Sequence, residues 1–213
     1  MFRRVIGGMA LLLLAIVMMG CGSQRPTPRA SADSPSTVVT LEPVADTWLN
    51  QASPNTNYGS EVKLYCGVWG QQAQWVRRDL IRFSLSSIPP GRTIVSGKLG
   101  LYLSSFTGTS DRVQVLRVPQ AWGEMTATWS NNSSNYVSPF ITVKSVNAAN
   151  LGAYVWFDIT SLVQAWYSGK QPNRGVLIRG LEMKSLAGAE VFGARETNDP
   201  TKRPLLKVQY SAP

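Results

Sequence analysis

From Val38 onward the chain predicts an all-β fold, a two-sheet antiparallel jelly-roll-like β-sandwich with one short helix, and three features carry that prediction. Short apolar runs alternate with period two, clusters of Gly, Pro, Asn and Ser cut them every eight to fifteen residues, and one segment alone has helical spacing. Such a set amounts to about ten short strands, which suits two packed antiparallel sheets.

The first strands are expected over 38–44 and 46–49. In KLYCGVW (63–69) the alternation places Leu64, Cys66 and Val68 inward and leaves Lys63 and Tyr65 outward. In RRDLIRFSL (77–85) Ile81, Phe83 and Leu85 point inward while Arg78, Leu80 and Arg82 point outward. The clearest strand is IVSGKLGLYLSS (94–105), with Val95, Leu99, Leu101 and Leu103 on one side and Lys98, Gly100 and Tyr102 on the other. Further strands are predicted over 113–118, 154–158, 175–179, 191–195 and 205–210. Only 160–169 departs from this period: Thr160 can cap, Leu162, Val163 and Trp166 share a helical face, and Gly169 offers a left-handed stop. Trp166 is expected to plug the core.

The N-terminus has a different character. Arg3 and Arg4 precede an apolar run from Val5 to Met19, shorter than the ~20 residues that span a bilayer comfortably, so residues 1–20 read as an export signal peptide. Gly20-Cys21 resembles the bacterial lipoprotein box, which implies a lipid on Cys21 and removal of the preceding segment. Met18 stands where leucine is usual, which leaves ordinary cleavage or an uncleaved anchor as alternatives. Residues 21–37 are polar and rich in proline and are expected to be a flexible linker, leaving 38–213 as one folded domain. The expectation is an exported lipoprotein, membrane-anchored through Cys21, at the cell surface or extracellular.

Charge and chemistry narrow the function. The chain carries 21 basic and 12 acidic residues, a net +9, and losing Arg3 and Arg4 would lower this to +7. Outside a cell that balance suits an anionic partner such as an acidic polysaccharide, anionic lipid or wall polymer. Nucleic acid fits the charge, but export argues against it. There is no histidine. The commonest general base, the histidine-dependent nucleophile systems and the commonest transition-metal ligand are thereby removed. The acidic residues form no close catalytic pair, so an enzyme is not expected. With Cys21 lipidated no disulfide is available to Cys66, whose place on an inward strand face predicts a buried, inert thiol.

Five blocks in order resemble one known family: ADTWLNQASPNTNYGS (45–60), RDLIRFSLSSIPPGRTIVSGKLGLYL (78–103), WGEMTATWSN (122–131), FDITSLVQAWYSGKQPNRGVLIRG (157–180) and RPLLKVQY (203–210). Together they are similar to the DNRLRE, or disaggregatase-related, domain. The resemblance implies a jelly-roll-like sandwich on extracellular proteins, often beside polysaccharide-degrading modules. Some members of that family are classed as carbohydrate-binding modules, with alginate-type polysaccharide as a recognised ligand. It implies binding without chemistry. Here the domain follows a lipid anchor and no catalytic module, which is a departure from the usual arrangement.

A uronate chain offers carboxylates and flat pyranose faces, so its site needs spaced cations and aromatic rings. The outward residues Lys63, Tyr65, Arg78, Arg82, Lys98 and Tyr102 would form a basic strip if their strands share one sheet face. Long basic side chains also decorate solvent-facing strands with no ligand at all. Trp69 and Trp75 bracket the polar loop GQQAQ and would stack on sugar rings, though a sandwich also buries tryptophans. Trp122, Trp129 and Trp156 are assigned to the core. No cofactor is expected. Asp46, Asn50, Asn55, Asn57 and Asp199 would be the donors of a structural calcium site, but there is no dense Asp-x-Asp run to favour one. The leading expectation is thus a lipid-anchored module holding an acidic polysaccharide. The alternative is a structural or adhesive surface protein that contacts a protein or wall partner without specific glycan recognition. A lyase using tyrosine with arginine or lysine ranks last, because no spacing identifies such a constellation.

Overall fold

The computed structural model describes residues 35–69, 75–108, 111–182 and 188–211. The expected signal peptide, Cys21 and nearly all of the expected linker lie outside the described residues. The described chain forms β1 (Ser36–Leu41), β2 (Pro43–Asn50), β3 (Lys63–Val68), β4 (Val76–Phe83), β5 (Thr93–Thr107), β6 (Asp111–Arg117), α1 (Trp129–Asn132), β7 (Val137–Val146), β8 (Tyr154–Asp158), α2 (Thr160–Tyr167), β9 (Val176–Arg179), β10 (Ala189–Gly193) and β11 (Leu205–Ser211). No described helix is long and apolar enough to cross a membrane.

All strand pairs are antiparallel, and the strands make one continuous sheet curled over itself into a sandwich-like, all-β fold. The long strand β5 is the shared element. Its first part pairs with β11 and β8, which with β1 make the first layer, while its last residues, from Leu103 to Thr107, pair with β10. From β10 the second layer continues through β3, β4, β9, β6 and β7, with β2 also on β4. Between the layers lies the main core, where Leu64, Ile81, Phe83, Leu99, Leu101, Leu103, Phe157, Phe192 and Leu206 are each at most 2% exposed. Each such side chain contributes roughly 1.5–3 kcal/mol by leaving water, which lets a core of this size hold the fold. Cys66 is buried in it, its thiol donating to Glu190 Oε2 at 3.3 Å.

Four departures from the sequence reading have local causes. The β5–β11 register slips between Gln209 and Tyr210, so Ile94 turns inward and Val95, expected inward, is 48% exposed. One bulged residue reverses the alternation beyond it. Helix α2 has the expected buried face of Leu162, Val163 and Trp166, and Gly169 follows at φ 74°, but Ile159 is its cap residue. The Thr160 hydroxyl instead accepts the Gly97 N–H at 3.0 Å. Strand β7 was not anticipated because its largely exposed residues lack the alternation of a half-buried strand.

The fourth departure concerns β4. Leu80 is fully buried in a second, smaller core with Ala45, Leu49, Leu116, Val118, Trp122, Ala127 and Leu177, against which Trp129 and Tyr136 pack. Thus the outer face of the second layer is not a solvent face. The segment after β6, including α1, covers it.

Candidate functional site

The eight residues expected to bind divide among three places. Arg78 and Arg82 lie under the covering segment. The Arg78 guanidinium pairs with Glu182 through Nε–Oε1 at 2.6 Å and Nη2–Oε2 at 2.8 Å, donates to the Ser133 carbonyl, and sits over the rings of Trp129 and Tyr136. Its side chain is 11% exposed. Arg82 lies 5.5 Å from the Trp122 ring centroid, while the Trp122 indole N–H donates to the Arg174 carbonyl at 2.8 Å. These arginines fasten a layer of the fold, so the expected six-residue strip does not form as one surface.

Lys98 and Tyr102 stand on the outer face of the first layer, and the structure adds neighbours there. Cross-strand register sets Tyr102 opposite Tyr154, Gly100 opposite Trp156 and Lys98 opposite Asp158 on β8, with Lys207 of β11 opposite Lys98 on the other side. Tyr102 and Tyr154 meet edge to face at 5.6 Å, and Tyr154 and Trp156 follow at 5.4 Å with 32° between planes. A methyl group on Gly100 would come within 2.7 Å of the Trp156 ring, so the absent side chain is what lets the indole lie down on β5. Cations surround this row: Lys207 Nζ is 4.7 Å from the Trp156 centroid, Lys202 Nζ 5.7 Å from Tyr102, and Lys144 donates to the Trp156 carbonyl at 3.3 Å. Trp156, assigned above to the core, is therefore a half-buried ring on this face. Period two could have found it, since Val155 and Phe157 are buried and their neighbours must face out.

Electrostatics on this face are uneven. Lys202 is paired with Asp199 at 2.9 Å, and Asp199, hydrogen-bonded foremost by the Thr201 hydroxyl, is held down to about 2. Asp158 also sits below the usual carboxylate range, chiefly through the Thr160 N–H at 2.9 Å and less through Lys98. Burial pushes the Tyr154 phenol up, and its single hydroxyl hydrogen is shared between the backbone carbonyls of Thr201 and Arg203. Lys98 and Lys207 are exposed and form no ion pair among the described residues. Lys63 lines an adjoining groove of ≈ 280 Å³ with Ser104, Asp199 and Lys202.

Tyr65, Trp69 and Trp75 belong to a third place, the β3–β4 hairpin. The Trp69 N–H donates to the Trp75 carbonyl at 3.0 Å, closing the hairpin. Asn50, Ala52, Trp69, Trp75 and Arg77 line a cleft of ≈ 230 Å³ there. Arg77, which sequence reasoning passed over, shares the inward parity of Ile81 and Phe83. At the end of the core it emerges among rings, with Cζ 4.5 Å from Trp69, 5.0 Å from Trp48 and 5.2 Å from Tyr65. Trp48 in turn stacks on Tyr58 at 3.8 Å.

Of the five candidate calcium donors, only Asp46 belongs to a cluster of three acidic side chains among the described residues. Oxygens of Asp46, Glu124 and Glu196 lie within 4.8 Å of one another. Arg195 already serves them as a cation, pairing with Glu124 at 3.1 Å and Glu196 at 2.8 Å, while its backbone N–H donates to Asp46 at 2.8 Å. Burial raises the Asp46 carboxyl to about 8. Asn50, Asn57 and Asp199 accept hydrogen bonds from backbone N–H groups within their own loops, and Asn55 accepts from the Ser130 hydroxyl.

Together the layered sheet and its aromatic, cationic surfaces describe a binding architecture. Comparison with curated protein sequences gave no significant match. A family model does match, over residues 37–210, and that span includes every residue of the surfaces described above: the chain belongs to carbohydrate-binding module family 96.

Proposed function

We propose that the protein holds an acidic, uronate-type polysaccharide such as alginate non-covalently on the outer face of the first layer. In this reading it works at the cell surface from a lipid anchor on Cys21, as a binder with no reaction of its own. The observation that carries the reading is the Lys98–Lys207 pair. Two like charges placed directly opposite on neighbouring strands repel, and Asp158, across from Lys98 on β8, offsets this for Lys98 alone. A polyanion lying across the pair would relieve the repulsion. Beside them Tyr102, Tyr154 and Trp156 form a row on which pyranose faces can stack, and lysines provide charge without demanding one carboxylate orientation. Several weak contacts of this kind suit a repeating, flexible chain.

Affinity electrophoresis of the protein through gels containing alginate, pectate, a sulfated glycan or a neutral glucan, at low and moderate salt, tests the specificity. Selective retardation by a uronate that persists at moderate salt is expected. Equal retardation by every polyanion, vanishing with salt, would reduce the face to a general cationic surface. The anchor has its own test: a radiolabelled fatty acid should be incorporated into the wild type and not into Cys21→Ser.

A further inference from the structure

We infer that the cleft at the β3–β4 hairpin is a second glycan site, which takes one carboxylated sugar ring between Trp69 and Trp75 with Arg77 gripping the carboxylate. The inference rests on the reading of the protein as a binder of acidic glycans, but it names a separate place and a different mode.

Arg77 is the first support. It forms no ion pair among the described residues, and its Nε is buried with no hydrogen-bond partner. Its charge is faced by three rings, while burial pushes the carboxyl of its strand neighbour Asp79, fully buried, above the usual carboxylate range. Desolvation accordingly lowers the Arg77 pKa. A cation so poorly compensated favours an anionic occupant, and a guanidinium matches a carboxylate through two parallel hydrogen bonds.

The walls are the second support. Trp75 is 38% exposed and Trp69 half-buried, its indole N–H also without a partner. Flat apolar walls suit a pyranose, which has apolar faces. The cleft volume of ≈ 230 Å³ is below the roughly 300–1,000 Å³ typical of drug-sized ligands, so it admits about one ring. The third support is position. Ser36, where the domain begins, pairs with Ser211, which pairs with Thr93 at the start of β5. Gly67, beside the cleft, pairs with Ala189, which pairs with Thr107 at the end of β5. The cleft therefore opens at the end of the sandwich opposite the chain's entry, where the end of a free polymer can reach it.

The probes are β-1,4-linked trimannuronate and β-1,4-mannotriose, which differ only in carboxylate against hydroxymethyl. Indole N–H resonances of the ¹⁵N-labelled protein report each tryptophan separately. The inference expects trimannuronate to shift the Trp69 and Trp75 signals, with mannotriose weaker by on the order of tenfold, and Arg77→Met to remove that difference. Because Arg77 is packed among rings, Trp75→Ala, at an exposed position, is the second variant and should abolish the Trp69 shift with the fold intact. Lys98→Ala/Lys207→Ala should leave this binding within about twofold, since those lysines are outside the cleft. Shifts confined to Trp156, equal binding of both sugars, or a response unchanged in Arg77→Met and Trp75→Ala would overturn it. If trimannuronate still moves Trp75 while polymer retention ignores the lysine variant, the first-layer reading fails and the cleft stands.

Discussion

The two outer faces of the sandwich begin from the same sequence signature and end differently. β4 presents Arg78, Leu80 and Arg82 at alternate positions, and β5 presents Lys98, Gly100 and Tyr102 likewise. On β4 the segment containing Trp122 and Trp129 folds across the face, buries Leu80 and surrounds the arginines with rings, while Glu182, beyond β9, pairs with Arg78. Nothing comparable among the described residues covers β5, and its face keeps rings and exposed lysines. Basic residues alternating along a strand thus indicate a face, and what covers the face decides whether they serve structure or ligand.

The largest expected effect is on the covered side. Arg78→Ala leaves Glu182 and the Ser133 carbonyl without their cation and should cost about 3 kcal/mol, read as a lower urea midpoint. Gly100→Ala sharpens the comparison from the open side. Its new methyl displaces the Trp156 ring, so stability should fall by about 1 kcal/mol while retention in an alginate gel drops markedly.

A pH effect follows on the covered side, where the Asp46 N–H donates to Glu124 of the covering segment. The Asp46 carboxyl is raised from 3.8 to about 8, so the folded state binds this proton more tightly than the unfolded chain does. The resulting stability is fully present below about pH 4 and is lost as pH rises through about 8. The melting temperature should decline between these limits, and Asp46→Asn should flatten the decline. Smallest is the stability change in Lys98→Ala/Lys207→Ala, expected within about 0.5 kcal/mol of wild type, because the repulsion removed is offset by the lost attraction of Lys98 to Asp158 and of Lys207 to the Trp156 ring.

Much of this architecture was legible in the sequence because period two reports burial directly. The inward set Leu99, Leu101 and Leu103, the α2 face and the left-handed Gly169 all follow from local pattern. Val95 did not, since it is the extra residue between the Ser96–Gln209 and Ile94–Tyr210 pairs, and where the pairing slips is not written in the alternation of β5. Nor did the second core: the alternation of Arg78, Leu80 and Arg82 is the same whether water or Trp122 lies above it. Lys98 and Tyr102 were found because they share the strongest strand, while Lys207 and Trp156 join them only through strand order. Arg77 was missed because inward parity was equated with the apolar core, although the end of a strand can emerge from that core into a cleft.

Retention of the wild type, Lys98→Ala/Lys207→Ala and Arg82→Ala in an alginate gel at moderate salt tests the difference between the faces most directly. The double variant should lose most of its retardation, keeping only what the hairpin cleft supplies, and Arg82→Ala should be retarded like the wild type. Retardation kept by the double variant and lost in a folded Arg82→Ala would contradict the assignment of binding to the open face.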